Sequence, residues 1–283
     1  MAVPARPAPT ADAGGWSAAA ARLAPEAVPG PRVGTELDAV LFDAGGVIVV
    51  PDPFSTGPAL APYGATAEIA TLIRAHYVGM RAHATSPADD EGIWLDYVRA
   101  HIAETGVPDD RAEEALGAFV RVFGHRTWRF PLLETITAME RLRDRGTPLG
   151  VVSNAVGQVE DVLRHTSCCQ VGPGGGVEVD VVVDSAVIGI EKPDPRVFAP
   201  AVEVMAGFGV EPDRIGYVGD SLRYDVAGAR AAGLVPLLLD PYDLHADVDL
   251  GEGAHRIRSV HDLLPAPDRP EATPADAVDP EGG

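Results

Sequence analysis

Cysteine is nearly absent: the chain of 283 residues has two, Cys168 and Cys169, side by side. Neighbouring cysteines cannot staple distant segments together, so a disulfide framework is excluded and a reducing compartment is expected. Both read as small buried or loop residues. Basic residues are scarce too, 22 Lys and Arg against 42 Asp and Glu, for a formal charge of -20 at pH 7. Such a field disfavours nucleic acid and anionic membranes, and neither is expected as a partner. No apolar run approaches the length that crosses a bilayer. The N-terminal segment also lacks the basic region and apolar core of a secretory signal, so the chain reads as cytoplasmic. No His or Cys cluster has metal-site spacing, and no internal repeat is visible. The stretch from Gly172 to Gly176 reads as a flexible turn and not a phosphate loop, because no helix opening on Lys-Ser/Thr follows it.

What is present is a set of apolar strand patterns that end in chemistry. Ala39 to Phe42 runs into Asp43, followed by Ala44, Gly45 and Gly46. In an open α/β sheet the ligand crevice lies outside the carboxyl ends of the strands, so Asp43 is placed as a nucleophile, a metal ligand or both, and the glycines permit close backbone approach. A second strand, Leu149 to Val152, ends in Ser153 and Asn154, whose groups can donate hydrogen bonds to an anion. Lys192 stands beside Pro193, with Asp194 as a helix N-cap and Pro195 as the first helical residue, which holds a positive point charge in place. A further strand, Ile215 to Val218, delivers Asp220 to its tip with Asp225 five residues on, a pair suited to a hard divalent cation.

Singly, each segment is an ordinary turn, cap or surface feature; in this order at successive strand ends they make a pattern. An Asp, then Ser/Asn, then Lys-Pro, then Gly-Asp with a second Asp resembles the four-part signature of the haloacid dehalogenase superfamily, from roughly residue 38 to 240. The resemblance implies a doubly wound parallel α/β sheet with a Rossmann-like core and a small α-helical cap. It implies that Asp43 attacks phosphorus to form an aspartyl-phosphate. It further implies Mg²⁺ held by Asp43, the main-chain carbonyl of Gly45 and Asp220, with Asp225 close by or acting through water. Ser153 and the backbone of Asn154 would then bind phosphoryl oxygens, and Lys192 would offset the charge of nucleophile and phosphoryl group. The activity implied is hydrolysis of a small phosphorylated metabolite.

One position departs from the family pattern. Its phosphatases usually carry a second Asp, the general acid and base, two residues after the nucleophile, and here that residue is Gly45. Such help is worth roughly 10²- to 10⁴-fold, so substrates with good leaving groups are favoured. Some sugar-phosphate phosphatases of the superfamily resemble this chain in having Gly there. The rival functions are a metal-independent 2-haloacid dehalogenase, against which Asp220 argues, and a binding or regulatory protein that has kept the fold and lost turnover.

Residues 1–36 and 265–283 are Pro-rich and aperiodic and are expected to be disordered, with a short helix possible from Trp16 to Leu23. The core is assigned to 37–53 and 131–264. Residues 54–130 are far too many for a simple connection, and helical spacing near 67–83, 92–104 and 111–122 marks them as the cap. Helices are expected over 132–145, 155–165, 196–208 and 227–232, and strands over 149–152, 179–183, 215–218 and 235–239. His76, His83, His101, His125, Arg81, Arg126 and the hinge acid Asp52 are candidates for a leaving-group contact or substitute acid. The oligomeric state is not readable.

Overall fold

A computed structural model describes residues 37–87 and 90–264. Its centre is a sheet of six parallel strands built from β1 (Ala39–Phe42), β4 (Leu149–Ser153), β7 (Val181–Asp184), β8 (Ile215–Gly219), β9 (Val235–Leu239) and β10 (His255–Ile257). Their order across the sheet is β10-β9-β8-β1-β4-β7. Helices cover both faces, so the central strands are buried throughout instead of alternating with solvent. Within β1, Val40 and Phe42 join one hydrophobic cluster with Val151, Met139 and Leu163, while Ala39 and Leu41 join another with Val152, Phe198 and Met205. Strand order reverses around β1, with β4 on one side and β8 on the other. That is the switch point at which a doubly wound sheet opens its crevice.

Between β1 and β4 the chain makes an antiparallel ribbon of β2 (Val49–Pro51) and β3 (Trp128–Pro131), with helices inserted between its strands. They are α1 (Pro53–Leu60), α2 (Ile69–Thr85), α3 (Asp90–Glu104) and α4 (Ala112–Val122). The insertion has its own core, in which Leu60, Tyr97, Ile102 and Phe119 are fully or almost fully buried. Asp52 caps α1 by accepting from the Phe54 N–H at 2.9 Å, and Arg129 of β3 holds the same carboxylate at 2.8 Å. Asp52 is therefore a buried N-cap and not an exposed hinge acid. No described helix is long and apolar enough to cross a membrane.

The remaining helices are α5 (Leu133–Asp144), α6 (Val159–His165), α7 (Ser185–Ile188), α8 (Ala199–Gly207) and α9 (Ala227–Ala231). The structure departs from the sequence reading in local detail. The strand expected over 179–183 is broken at Asp180, whose carboxylate accepts from Leu149 N–H and Arg143; β6 (Val177–Val179) before it pairs with β5 (Cys169–Val171) in a separate small sheet. The helix expected from residue 155 starts at Val159, because the Asp184 carboxylate captures the Gly157 and Val159 N–H groups. Residues 222–226 form a wide π-helical turn ahead of α9. Cys168 and Cys169 are buried and unpaired, and burial pushes the Cys169 thiol up to about 12 and raises that of Cys168. The segments 1–36 and 265–283, expected to be disordered, and the short helix expected from Trp16 to Leu23 lie outside the described residues.

Candidate active site

Three adjacent strands aim their carboxyl ends at one place. Asp43 follows β1, Ser153 ends β4 and Asp220 follows β8. Asp43 is fixed by its own N–H, which donates to Val218 at 2.8 Å, and by the Ala44 N–H, which donates to its Oδ1 at 2.7 Å. Its Oδ2 faces Lys192 Nζ at 2.9 Å.

Lys192 is the only lysine among the 22 basic residues, and it is 2% exposed. Its ammonium uses all three donors, on Asp43, on Asp225 Oδ1 at 2.7 Å and on Tyr217 Oη at 2.9 Å. The Tyr217 hydroxyl passes its own proton to the Val152 carbonyl at 2.7 Å. Burial opposes the ammonium charge, but Asp225 and Asp43 outweigh it and the Lys192 pKa is raised. Asn154 clamps the Lys192 peptide from both sides, accepting from its N–H at 2.7 Å and donating to its carbonyl at 3.1 Å. The Asn154 side chain is thereby occupied, and what remains for a phosphoryl group is its main chain. Asp194 caps the turn at Pro195, as its position in the sequence indicates.

Asp225 sits behind Asp43 and is 1% exposed. One carboxylate oxygen meets Lys192 and the other accepts from the Ser221 N–H at 2.9 Å. The strand can bring it this close only because residue 219 is Gly: a Cβ there would lie 2.3 Å from the Asp225 side chain. Burial, then Asp43 and Asp220, raise the Asp225 pKa against the pull of Lys192. Asp43, Asp220 and Asp225 each present an oxygen within 4.8 Å of the others. Three carboxylates that close, two of them buried, answered by one ammonium that touches only two of them, are a donor set that fits a hard divalent cation.

The insertion reaches this site directly. His76 of α2 places Nε2 2.7 Å from Asp220 Oδ2 and Nδ1 3.1 Å from Tyr97 Oη. Tyr77, next along the helix, donates to the Gly46 carbonyl at 2.8 Å. Gly46 has φ +71, and a Cβ there would fall 1.9 Å from Asp220 Oδ2 and 2.7 Å from His76 Nε2, so no other residue fits. Gly45 is different. Its backbone is not left-handed, but a Cβ would meet the Trp128 ring at 3.1 Å: an indole packs where the family's second carboxylate would project.

Of the candidate leaving-group contacts, only His125 and Arg126 line the cavity, which holds about 520 Å³ above Asp43 and Lys192. His83 is buried between Trp94 and Tyr224, His101 lies against Tyr97 and Phe119, and Arg81 pairs with Asp247. The sequence reading missed Tyr217 and Trp128. Tyr217 is a polar tip in a strand of otherwise apolar residues, which is a usable signal; Trp128 carried none.

Residues 37–233 match the family model described as haloacid dehalogenase-like hydrolase. Haloacid dehalogenase-like hydrolase domain-containing protein 3 of Bos taurus is 34% identical over 188 residues, covering 64% of this chain and 70% of the relative. A phosphoserine phosphatase of Thermus thermophilus is 35% identical over 160 residues, covering 55% of this chain and 59% of the relative. A glyceraldehyde 3-phosphate phosphatase of Methanopyrus kandleri is 36% identical over 109 residues, covering 37% and 41%.

Proposed function

The chain belongs to the haloacid dehalogenase-like hydrolases, and within that family we propose that it is a Mg²⁺-dependent phosphatase of small phosphorylated metabolites, acting through an aspartyl-phosphate on Asp43. The observation that carries this reading is the position of the Asp43 carboxylate, 2.9 Å from a buried ammonium and within reach of two further carboxylates. Two of the relatives bear the names of phosphatases, which agrees with it.

Asp43 Oδ1 is tied to its neighbour's N–H, so the oxygen next to Lys192 is the one disposed to attack. It forms a bond to phosphorus as the phosphorus–oxygen bond to the leaving group breaks, and water then cleaves the acyl phosphate. Lys192 neutralises charge on nucleophile and phosphoryl group, and Ser153 with the Asn154 backbone holds phosphoryl oxygens. Mg²⁺ held by Asp43, the Gly45 carbonyl and Asp220 would supply further charge neutralisation. Asp225, with both oxygens engaged, fixes Lys192 and would act on such an ion only indirectly. The four-helix insertion serves as the cap that excludes water.

A screen of phosphorylated metabolites and a 2-haloacid, with and without Mg²⁺, tests the reading. Phosphate release that EDTA abolishes is expected. Halide release, or full activity in excess EDTA, would favour the dehalogenase chemistry that Asp220 and Asp225 speak against.

A further inference from the structure

Resting on the phosphatase reading, we propose that the leaving group this site accepts is flat and largely apolar, an aryl or comparable ring, with an anionic substituent at the end remote from phosphorus. Beyond Asp43 and Lys192 the cavity is walled by Met80, Trp94, Trp128, Val156 and Tyr224. Two of these, Trp94 and Val156, are 38% and 56% exposed: apolar side chains that line the cavity and that the fold leaves partly uncovered.

The wall is also rigid. The His83 ring, itself buried and without a hydrogen-bond partner among the described residues, packs against both Trp94 and Tyr224, with ring centroids 5.0 and 5.3 Å away. The Trp128 indole, which also lines the cavity, packs over Gly45 and meets the His76 ring edge to face with centroids 5.3 Å apart. Aromatic rings held in place along a cavity wall reward a planar guest, which loses little rotational freedom on entering and gains stacking contacts. The same indole that occupies the place of the family's proton donor thus forms part of the surface for a ring whose oxygen departs readily as the anion.

The cavity lining also carries positive charge. His125 and Arg126 lie on the exposed turn that precedes β3 and line the cavity. Arg129, also at the cavity, is committed to Asp52, whereas Arg126 has no carboxylate partner among the described residues. In a chain of charge -20, a guanidinium left for the cavity suits an anionic substituent.

The test compares phenyl phosphate with hexafluoroisopropyl phosphate, whose leaving alkoxide is about as weak a base as phenolate but is not flat. Wild-type kcat/KM is expected to be roughly tenfold or more higher for phenyl phosphate, carried mainly by KM. Trp94→Ala, or Trp94→Leu if the first variant fails to fold, should erase most of that ratio. A para-carboxylate on the phenyl ring should lower KM several-fold further, and Arg126→Met should remove that gain. Phenylphosphonate should inhibit more tightly than methylphosphonate by a comparable factor, a readout independent of turnover. Equal values for the two esters, or a Trp94 substitution that moves both equally, would overturn the flat-ring inference. A carboxylate effect that is absent, or that survives Arg126→Met, would overturn the anionic end. Failure of both esters with Mg²⁺ present, while the phosphonates still rank as expected, would count against the phosphatase reading instead.

Discussion

His76 Nε2 and Asp220 Oδ2 stand 2.7 Å apart, joining a helix of the insertion to the tip of a core strand. With the Nε2–H tautomer, His76 donates to the carboxylate and its Nδ1 accepts from Tyr97 Oη, so both ring nitrogens are satisfied in a buried place. Removing the ring leaves Asp220 free to turn and deletes one of the contacts between the insertion and the proposed metal site. His76→Ala is expected to weaken Mg²⁺ binding by about tenfold or more, read by calorimetry or by the Mg²⁺-dependent rise in melting temperature. His76→Gln, which can still donate, should recover part of it. Equal Mg²⁺ affinity in all three proteins would reduce this contact to packing.

Gly45 should leave its mark on leaving-group dependence. With no carboxylate at that position, kcat/KM across phosphate monoesters of graded leaving-group pKa should fall steeply as the departing oxygen becomes more basic. Gly45→Asp alone should not restore proton donation, because the Trp128 ring lies 3.1 Å from the new Cβ and forces the side chain or the indole aside. Paired with Trp128→Ala, the same substitution should flatten the series. A flat series in the wild type, with chemistry rate-limiting, would identify another proton donor, and His125, which lines the cavity, would be the first to test.

Asp52 is expected to matter for folding and not for catalysis. Asp52→Ala removes an N-cap and one partner of an ion pair whose other member, Arg129, is about half exposed, so a loss of about 1 to 2 kcal/mol in unfolding free energy is expected. Asp52→Asn should keep most of the cap. Denaturant titration measures this, and kcat for an aryl phosphate should change little in either variant. A large loss of kcat without a loss of stability would reinstate Asp52 as an acid.

His101 makes the insertion acid-sensitive. It has no hydrogen-bond partner among the described residues, and burial, then the neighbouring His76, lowers its pKa from 6.5 to about 3. The folded state therefore binds fewer protons than the unfolded state between those values, and its stability falls as pH drops through that window. Above pH 6.5 the contribution is constant. His101→Leu deletes the group, so the difference in unfolding free energy should shift toward the variant on acidification, by at most about 1.4 kcal/mol per pH unit. Parallel stability curves for the two proteins would contradict this.

Much of this was legible because chemistry in an open α/β sheet gathers at strand ends. Asp43, Ser153 and Asp220 could be picked out by the residue type that closes or follows each apolar run, Lys192 by the Pro-rich helix start beside it and Asp225 by its spacing from Asp220, and the fold then brings them together. Contacts between residues distant in sequence were not legible. Nothing local to His76 says that it meets Asp220, or to Asp52 that Arg129 completes its cap. The missing carboxylate at Gly45 could be read, but not the indole that stands in its place. The break at Asp180 was hidden for a similar reason: a run of valines reads as one strand until Arg143 and the Leu149 N–H claim the acid within it.

The central claim is covalent catalysis by Asp43, and mass spectrometry of the acid-quenched enzyme addresses it most directly. The protein is mixed with Mg²⁺ and a reactive aryl phosphate, quenched during the first turnover, digested and mapped. A phosphoryl group on the peptide that contains Asp43, present only with Mg²⁺ and substrate and absent from Asp43→Asn, is the expected result. Phosphate released at the wild-type rate with no phosphoryl group on that peptide, or undiminished turnover by Asp43→Asn, would contradict it.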